Sequence, residues 1–140
     1  MIQKIISHRA NIKGPNKDLE NNPEQILKVL KMGFDCEIDV WFVDNKFYLG
    51  HDEPQYETDY NFLSQTGLWI HCKNFKALIT VPISSNYFWH EEDDYTLTSK
   101  RYIWTYPNKI VEDNCIIVDN NVDWINKGYN CFGVCTDYIK

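Results

Sequence analysis

Residues 34–42 read F-D-C-E-I-D-V-W-F, and the folding of this stretch decides what surrounds it. Its alternation has the two-residue period of a β-strand. Cys36, Ile38 and Val40 fall on one face, and Asp35, Glu37, Asp39 and Trp41 on the other. Acids on the inward face of a strand bracketed by Phe34, Trp41 and Phe42 are costly, because buried charges need partners. That cost asks for a functional explanation.

Downstream, Asp44-Asn45 makes a tight turn and residues 46–50 (KFYLG) run back as a hairpin strand into His51-Asp52. Upstream, residues 2–7 (IQKIIS) form a short strand that ends in His8-Arg9. A polar loop then leads to a helix with Asn22 as N-cap, Pro23 in first position, Ile26, Leu27 and Leu30 on its apolar stripe, and Gly33 at its end. Residues 58–66 and 74–81 read as short helices, the second stopped by Pro82. Between them LWIHCKN is a strand, with His71 and Lys73 sharing a face. YFWH, RYIWTY, CIIV and CFGVC are four more short strands, and NNVDWINKG before the last is helical. This order predicts one α/β domain over residues 1–140.

Composition limits the function. Hydrophobic residues make up 44%, charged residues 24% and aromatics 15%, a globular mix. The net charge is −6 and no Lys/Arg block is present, which argues against binding a nucleic-acid backbone. The five cysteines are an odd number without a C-x-x-C pair, so they read as reduced thiols packed on the outer face of the sheet. No membrane span and no secretory leader is legible, and a cytoplasmic location is expected.

The polar residues that end strands form one series: His8-Arg9, Glu37 and Asp39, His51-Asp52, His71 and Lys73. In an α/β barrel every parallel strand delivers its C-terminal end to the same face. Two carboxylates two apart on a strand can share a divalent cation. Two histidines can act as general base and general acid near neutral pH. Arg9 and Lys73 would neutralise an anion, and a guanidinium grips phosphate oxygens in pairs. Together these groups describe metal-assisted phosphodiester chemistry. His71 reads two ways, as a ligand or as a packed imidazole bonded to a carboxylate. The run FWHEEDDYT reads as a solvated acidic loop, although His90 could supply a ligand or touch substrate. Trp104 and Tyr106 read as wall, and Asp137 as a brace for the closing strand.

His8-Arg9-Ala10, Glu20-Asn21, Glu37-Ile38-Asp39-Val40, His51-Asp52, His71-Cys72-Lys73 and Gly133-Val134-Cys135-Thr136-Asp137 occur in that order. The series resembles the glycerophosphodiester phosphodiesterase family, which carries H-R-G, E-N-T, E-x-D-V, H-D, E-x-K and a closing G-x-x-T-D. The resemblance implies His8 and His51 as the acid–base pair, Glu37 and Asp39 as metal ligands, and Arg9 and Lys73 as phosphate contacts. It also implies one Mg or Ca ion and a small glycerophosphodiester-like substrate. Ala10 stands where the family has glycine, and His71 where it has a glutamate, so Mn or Zn enters if His71 is a ligand.

A (β/α) barrel usually takes about 250 residues. The expected fold is therefore a reduced TIM-type (β/α) barrel with several outer helices shortened or missing, its bare face covered by aromatic residues or by a homo-oligomer contact. The expected function is metal-dependent phosphodiester hydrolysis. The alternatives are a catalytically degenerate phosphate-binding barrel and an assembly subunit.

Overall fold

The computed structural model describes residues 1–140. In chain order its elements are β1 (Lys4–His8), α1 (Pro23–Lys31), β2 (Asp35–Val43), β3 (Lys46–Leu49), β4 (Tyr56–Thr58), α2 (Tyr60–Leu63), β5 (Leu68–Cys72) and α3 (Phe75–Thr80). They continue with β6 (Asn86–Phe88), β7 (Tyr95–Leu97), β8 (Ile103–Thr105), β9 (Cys115–Val118), a 3₁₀ turn (Trp124–Lys127) and β10 (Gly133–Thr136).

All ten strands belong to one sheet. Its parallel run is β8-β9-β10-β1-β2-β5-β6, and β2 is its pivot. The first part of β2 pairs with β1 and β5, while residues 40–43 turn away to pair antiparallel with β3. Strands β4 and β7 add antiparallel edges to β3 and β8.

This architecture corrects the expected TIM-type barrel. The molecule is a curled, mixed, strand-rich half-barrel with three short helices, not a ring of alternating strands and helices. The physical reason lies in the connections. A parallel crossover with a full helix takes a dozen or more residues. Only α1 between β1 and β2 reaches nine residues, and α3 between β5 and β6 has six. Between β6 and β8 the chain makes the extra strand β7 instead of a helix, and between β8 and β9 it makes no helix. No ladder joins β6 to β8. Across that gap Phe88 and Trp104 stack with ring centroids 4.7 Å apart. The Ser99 N–H also donates to the Tyr87 carbonyl at 2.8 Å.

Helix α1 forms where its capping signals place it: the Asn22 side chain accepts from the N–H groups of Glu24 and Gln25, and Pro23 opens the first turn. Behind the sheet, α1 and α3 bury Ile26, Val29 and Ala77 against Cys36, Ile38, Val40, Ile70 and Cys72. A smaller cluster fills the inside of the curl: Ile6, Trp69, Phe88, Trp104, Ile116 and Cys135. All five cysteines are free and buried. Cys36, Cys72, Cys115 and Cys131 pack outside the curl as expected, while Cys135 points into it because β10 alternates with Gly133 and Cys135 inward. No helix is long and apolar enough to cross a membrane.

Asp119 anchors the segment after β9. Its buried carboxylate accepts from the Asn121 N–H at 3.0 Å, Lys127 Nζ at 2.7 Å and the Tyr129 hydroxyl at 2.6 Å. Burial works to raise its pKa, and these donors outweigh that, so the pKa lies below its ordinary value. A depressed folded-state pKa means the contribution is present above the unfolded value, near 3.9, and is lost as pH falls through the folded one. Asp119→Ala is expected to cost about 1.5–3 kcal/mol at pH 7, the range for hydrogen bonds to charged groups. Urea melts of both forms should converge as pH falls below the ordinary carboxylate range; a constant gap down to acid pH would remove the carboxylate from this role.

Candidate active site

The C-terminal ends of β1, β2 and β5 bring the polar residues together. His8 ends β1 in register with Glu37, and Asp39 on β2 lies opposite His71 on β5. Lys73 follows β5, its N–H donating to the Val40 carbonyl. The β2–β3 hairpin carries His51 back to the same mouth. Gly50 makes that return possible, since a β-carbon there would run into the Glu53 carbonyl. His8, Arg9, Glu37, Asp39, His51, His71 and Lys73 all line one cavity of about 570 Å³.

Arg9 and Ala10 both adopt left-handed backbone, with φ of 56° and 69°. For residues with a β-carbon this costs roughly 1–2 kcal/mol each. The bend turns the Arg9 N–H onto Glu37, at 3.0 Å from its carbonyl and 3.3 Å from Oε1. The Arg9 guanidinium lies 3.6 Å from Asp39 Oδ2 and 3.7 Å from Glu20 Oε1, while its buried Nε has no hydrogen-bond partner. It is an ion-pair partner of both carboxylates. Lys73 lines the cavity and has no carboxylate within 4 Å.

Glu37 and Asp39 are buried, at 3% and 1% exposure. Burial and the adjacent Asp39 charge push the Glu37 carboxyl well above the ordinary carboxylate range. Burial opposes ionisation of Asp39 as well, but His71 and the Asn21 amide outweigh it and hold its pKa low. The pair therefore carries one proton between them when no cation is bound.

His71 completes a cluster whose donor atoms lie within 4.8 Å of one another. Its Nδ1 is 3.2 Å from Asp39 Oδ1 and 3.9 Å from Glu37 Oε2. Three electron-rich donors so close repel unless a proton or a cation lies among them. Asp39 Oδ1 is buried without a hydrogen-bond partner, the open valence a cation would fill. The donor set of two carboxylates and one imidazole suits a divalent metal. His71 thus touches a carboxylate, and its Nδ1 is one of the clustered donor atoms.

His8 and His51 each pair with an aspartate. His8 Nδ1 lies 2.8 Å from Asp137 Oδ1, and His51 Nδ1 lies 2.8 Å from Asp52 Oδ1. A carboxylate accepts, so Nδ1 carries the hydrogen and Nε2 is left to exchange a proton. Asp137 also accepts from Asn11 Nδ2 at 2.8 Å. Burial raises its pKa, but the bonds from His8 and Asn11 prevail and keep it low. Asp137 is thus more than a brace for β10: it orients His8. Asp137→Asn keeps the shape but loses the carboxylate that fixes the tautomer. In any reaction that uses His8 as acid or base it should lower the rate by about 100-fold, the lower end of what a positioned acid or base contributes. Unchanged steady-state kinetics would show that His8 needs no orientation.

Asn21, legible in the sequence only as part of a motif, is an organising residue. Its Nδ2 donates to Asp39 Oδ2 and its Oδ1 accepts from the Asp39 N–H, both at 2.9 Å. Its own φ of 59° is left-handed, a conformation that asparagine tolerates well. His90 enters the cluster through its backbone, because the His71 Nε2–H donates to the His90 carbonyl at 3.1 Å. Its imidazole packs edge-on against Tyr106 at 5.0 Å and is not one of the clustered donors. Residues 91–94 are exposed, as a solvated acidic loop should be. Trp89, Trp104 and Tyr106 wall the far side. Cys72 also lines the cavity, but burial pushes its thiol up to about 12, so it is no nucleophile at neutral pH.

No protein-family model, curated protein or solved structure matches the chain. What the site can do is therefore read from its own geometry: hold a cation, neutralise an anion and move protons at two imidazoles.

Proposed function

We propose that this protein hydrolyses a phosphodiester of a small alcohol, glycerophosphodiester-like by its motifs, with the help of one divalent cation. The observation that carries this reading is the convergence of two Asp-paired histidines, a carboxylate–imidazole cluster and two cations on one cavity of about 570 Å³. Glu37, Asp39 and His71 would hold the divalent ion, which would supply Lewis-acid stabilisation of phosphoryl charge. Arg9 and Lys73, both on the cavity wall, grip the remaining phosphate oxygens. One of His8 and His51 takes the proton from the attacking water, or from a substrate hydroxyl next to the phosphate. The other gives its proton to the alcohol oxygen as the P–O bond breaks, so a phosphomonoester (or cyclic phosphodiester) and a free alcohol leave. The aromatic wall of Trp89, Trp104 and Tyr106 receives the organic part of the substrate.

The test uses metal-stripped protein with bis(p-nitrophenyl) phosphate and with glycerophosphodiesters. Cleavage should appear on adding a divalent ion and vanish with EDTA, with a bell-shaped pH profile. Tight binding of phosphate esters without turnover under any metal would instead make this a binding protein.

A further inference from the structure

We propose that the Glu37–Asp39–His71 cluster selects a first-row transition dication such as Mn²⁺ over Mg²⁺ and Ca²⁺, with His71 Nδ1 as the selecting ligand. The proposal rests on the reading of this cluster as the metal site of the phosphodiesterase.

Each of the three side chains has one polar atom held by the protein and one left free. Glu37 Oε1 receives the Arg9 N–H, and Oε2 is free. Asp39 Oδ2 receives the Asn21 amide, and Oδ1 is the buried atom without a partner. His71 Nε2 is committed to the His90 carbonyl, and Nδ1 faces the two free oxygens at 3.2 and 3.9 Å. Metal-binding histidines characteristically donate the other ring N–H to a carbonyl or carboxylate, which fixes the tautomer and aims the lone pair. Here the carbonyl accepts only, so the ring cannot reverse without losing that bond. Phe88 lies parallel to the imidazole, 5.2 Å between centroids with planes 8° apart, and holds its tilt.

The free donors are thus one oxygen from each carboxylate and one imidazole nitrogen. Ca²⁺ takes 6–8 oxygen ligands, and Mg²⁺ prefers oxygen and retained water. Imidazole nitrogen suits Fe²⁺, Ni²⁺, Cu²⁺ and Zn²⁺. Mn²⁺ stands at the weak end of that first-row series and accepts oxygen as well, so it is the most demanding probe of the preference. A cluster that commits one of its three free donors to nitrogen discriminates against the two hard ions. The competing arrangement is an imidazolium at His71 sitting permanently where a cation would.

The experiment uses the whole chain, stripped of metal and titrated calorimetrically with Mn²⁺, Mg²⁺ and Ca²⁺. Zn²⁺ is avoided because the five thiols also take it. Pulsed EPR of the Mn²⁺ form reads nitrogen coordination directly. The expected result is ¹⁴N modulation in the native protein that is lost in His71→Gln. In His71→Glu, which restores an all-oxygen set, the Mn²⁺/Mg²⁺ affinity ratio should fall by at least about 10-fold, the least that disturbing a ligand's surroundings costs. Mn²⁺ binding without ¹⁴N modulation, or an unchanged ratio in His71→Glu, overturns the selectivity while leaving the metal site in place. If none of the three ions binds the native chain at millimolar concentration, the metal-assisted reading falls together with it.

Discussion

Replacing His51 by alanine is expected to lower phosphodiester cleavage by about 10²–10⁴-fold with little change in stability, and replacing His8 should do the same to activity. The two variants differ in their structural cost, and the difference makes the test sharp. His51 and its partner Asp52 sit at the rim, with side chains 34% and 83% exposed, so loss of the ring costs little folding energy. His8 faces a buried carboxylate, and His8→Ala leaves Asp137 with Asn11 as its remaining side-chain donor. That should cost about 1–3 kcal/mol. His8→Gln, which keeps a donor toward Asp137, should recover stability but not activity. Rescue of His8→Ala by added imidazole would show that the missing group is a proton carrier. Cleavage by both alanine variants at the native rate would end the acid–base assignment.

Asp39→Ala is expected to abolish divalent-ion binding and cleavage, and to destabilise the fold by about 3–5 kcal/mol, the cost of removing one partner from a buried charged network. The side chains left behind are the Asn21 amide, the Arg9 Nε and the His71 Nδ1, all aimed at a missing carboxylate. Asp39→Asn separates the two effects: the shape survives while the charge that draws the cation is lost. The metal-free protein should also show an inverted pH dependence. Glu37 holds its proton at pH values where an unfolded carboxyl, near 4.3, has released it. The folded chain then binds more protons, so stability falls as pH rises from about 4.3 through the raised Glu37 value. Asp39 acts in the opposite sense only below the ordinary carboxylate range, because its pKa is lowered. Chemical denaturation from pH 5 to 9, with EDTA and then with Mn²⁺, checks both points. The downward slope should shrink in Asp39→Asn, and a slope equal in native and variant protein would contradict the shared proton.

The strand period of residues 34–42 is enough to single out Glu37 and Asp39, because an alternating strand leaves its acids no other face. The order of His8, Glu37, Asp39, His51 and His71 along strand ends is legible for the same reason. A closed barrel is not, since strand patterns report local faces and not whether a sheet's two ends meet. Strands β4 and β7 escape notice because their three residues, none of them buried, carry no apolar run, whereas β6 and β8, equally short, lie in the aromatic stretches YFWH and RYIWTY. Asn21 and Asp137 are visible as motif letters, but their tasks depend on hydrogen bonds across 18 and 129 positions. Such contacts leave no trace in residue spacing. His90 shows the same limit from the other side, since its contribution is a carbonyl, which every residue possesses.

The pairing of β1 with β10 sets the order in which the molecule can be assembled. Residues 8–73 hold the carboxylate–imidazole cluster, His8 and His51, yet β1 acquires its neighbour β10 and His8 its aspartate only after residue 137 has been made. Bringing ends so distant together carries an entropic cost that grows slowly with length but is met all at once. A nascent chain would therefore hold every candidate ligand of residues 8–73 before β1 has both its neighbours. A stop codon ahead of residue 133 would leave β1 and β9 each with an unpaired edge, open to pairing with another chain.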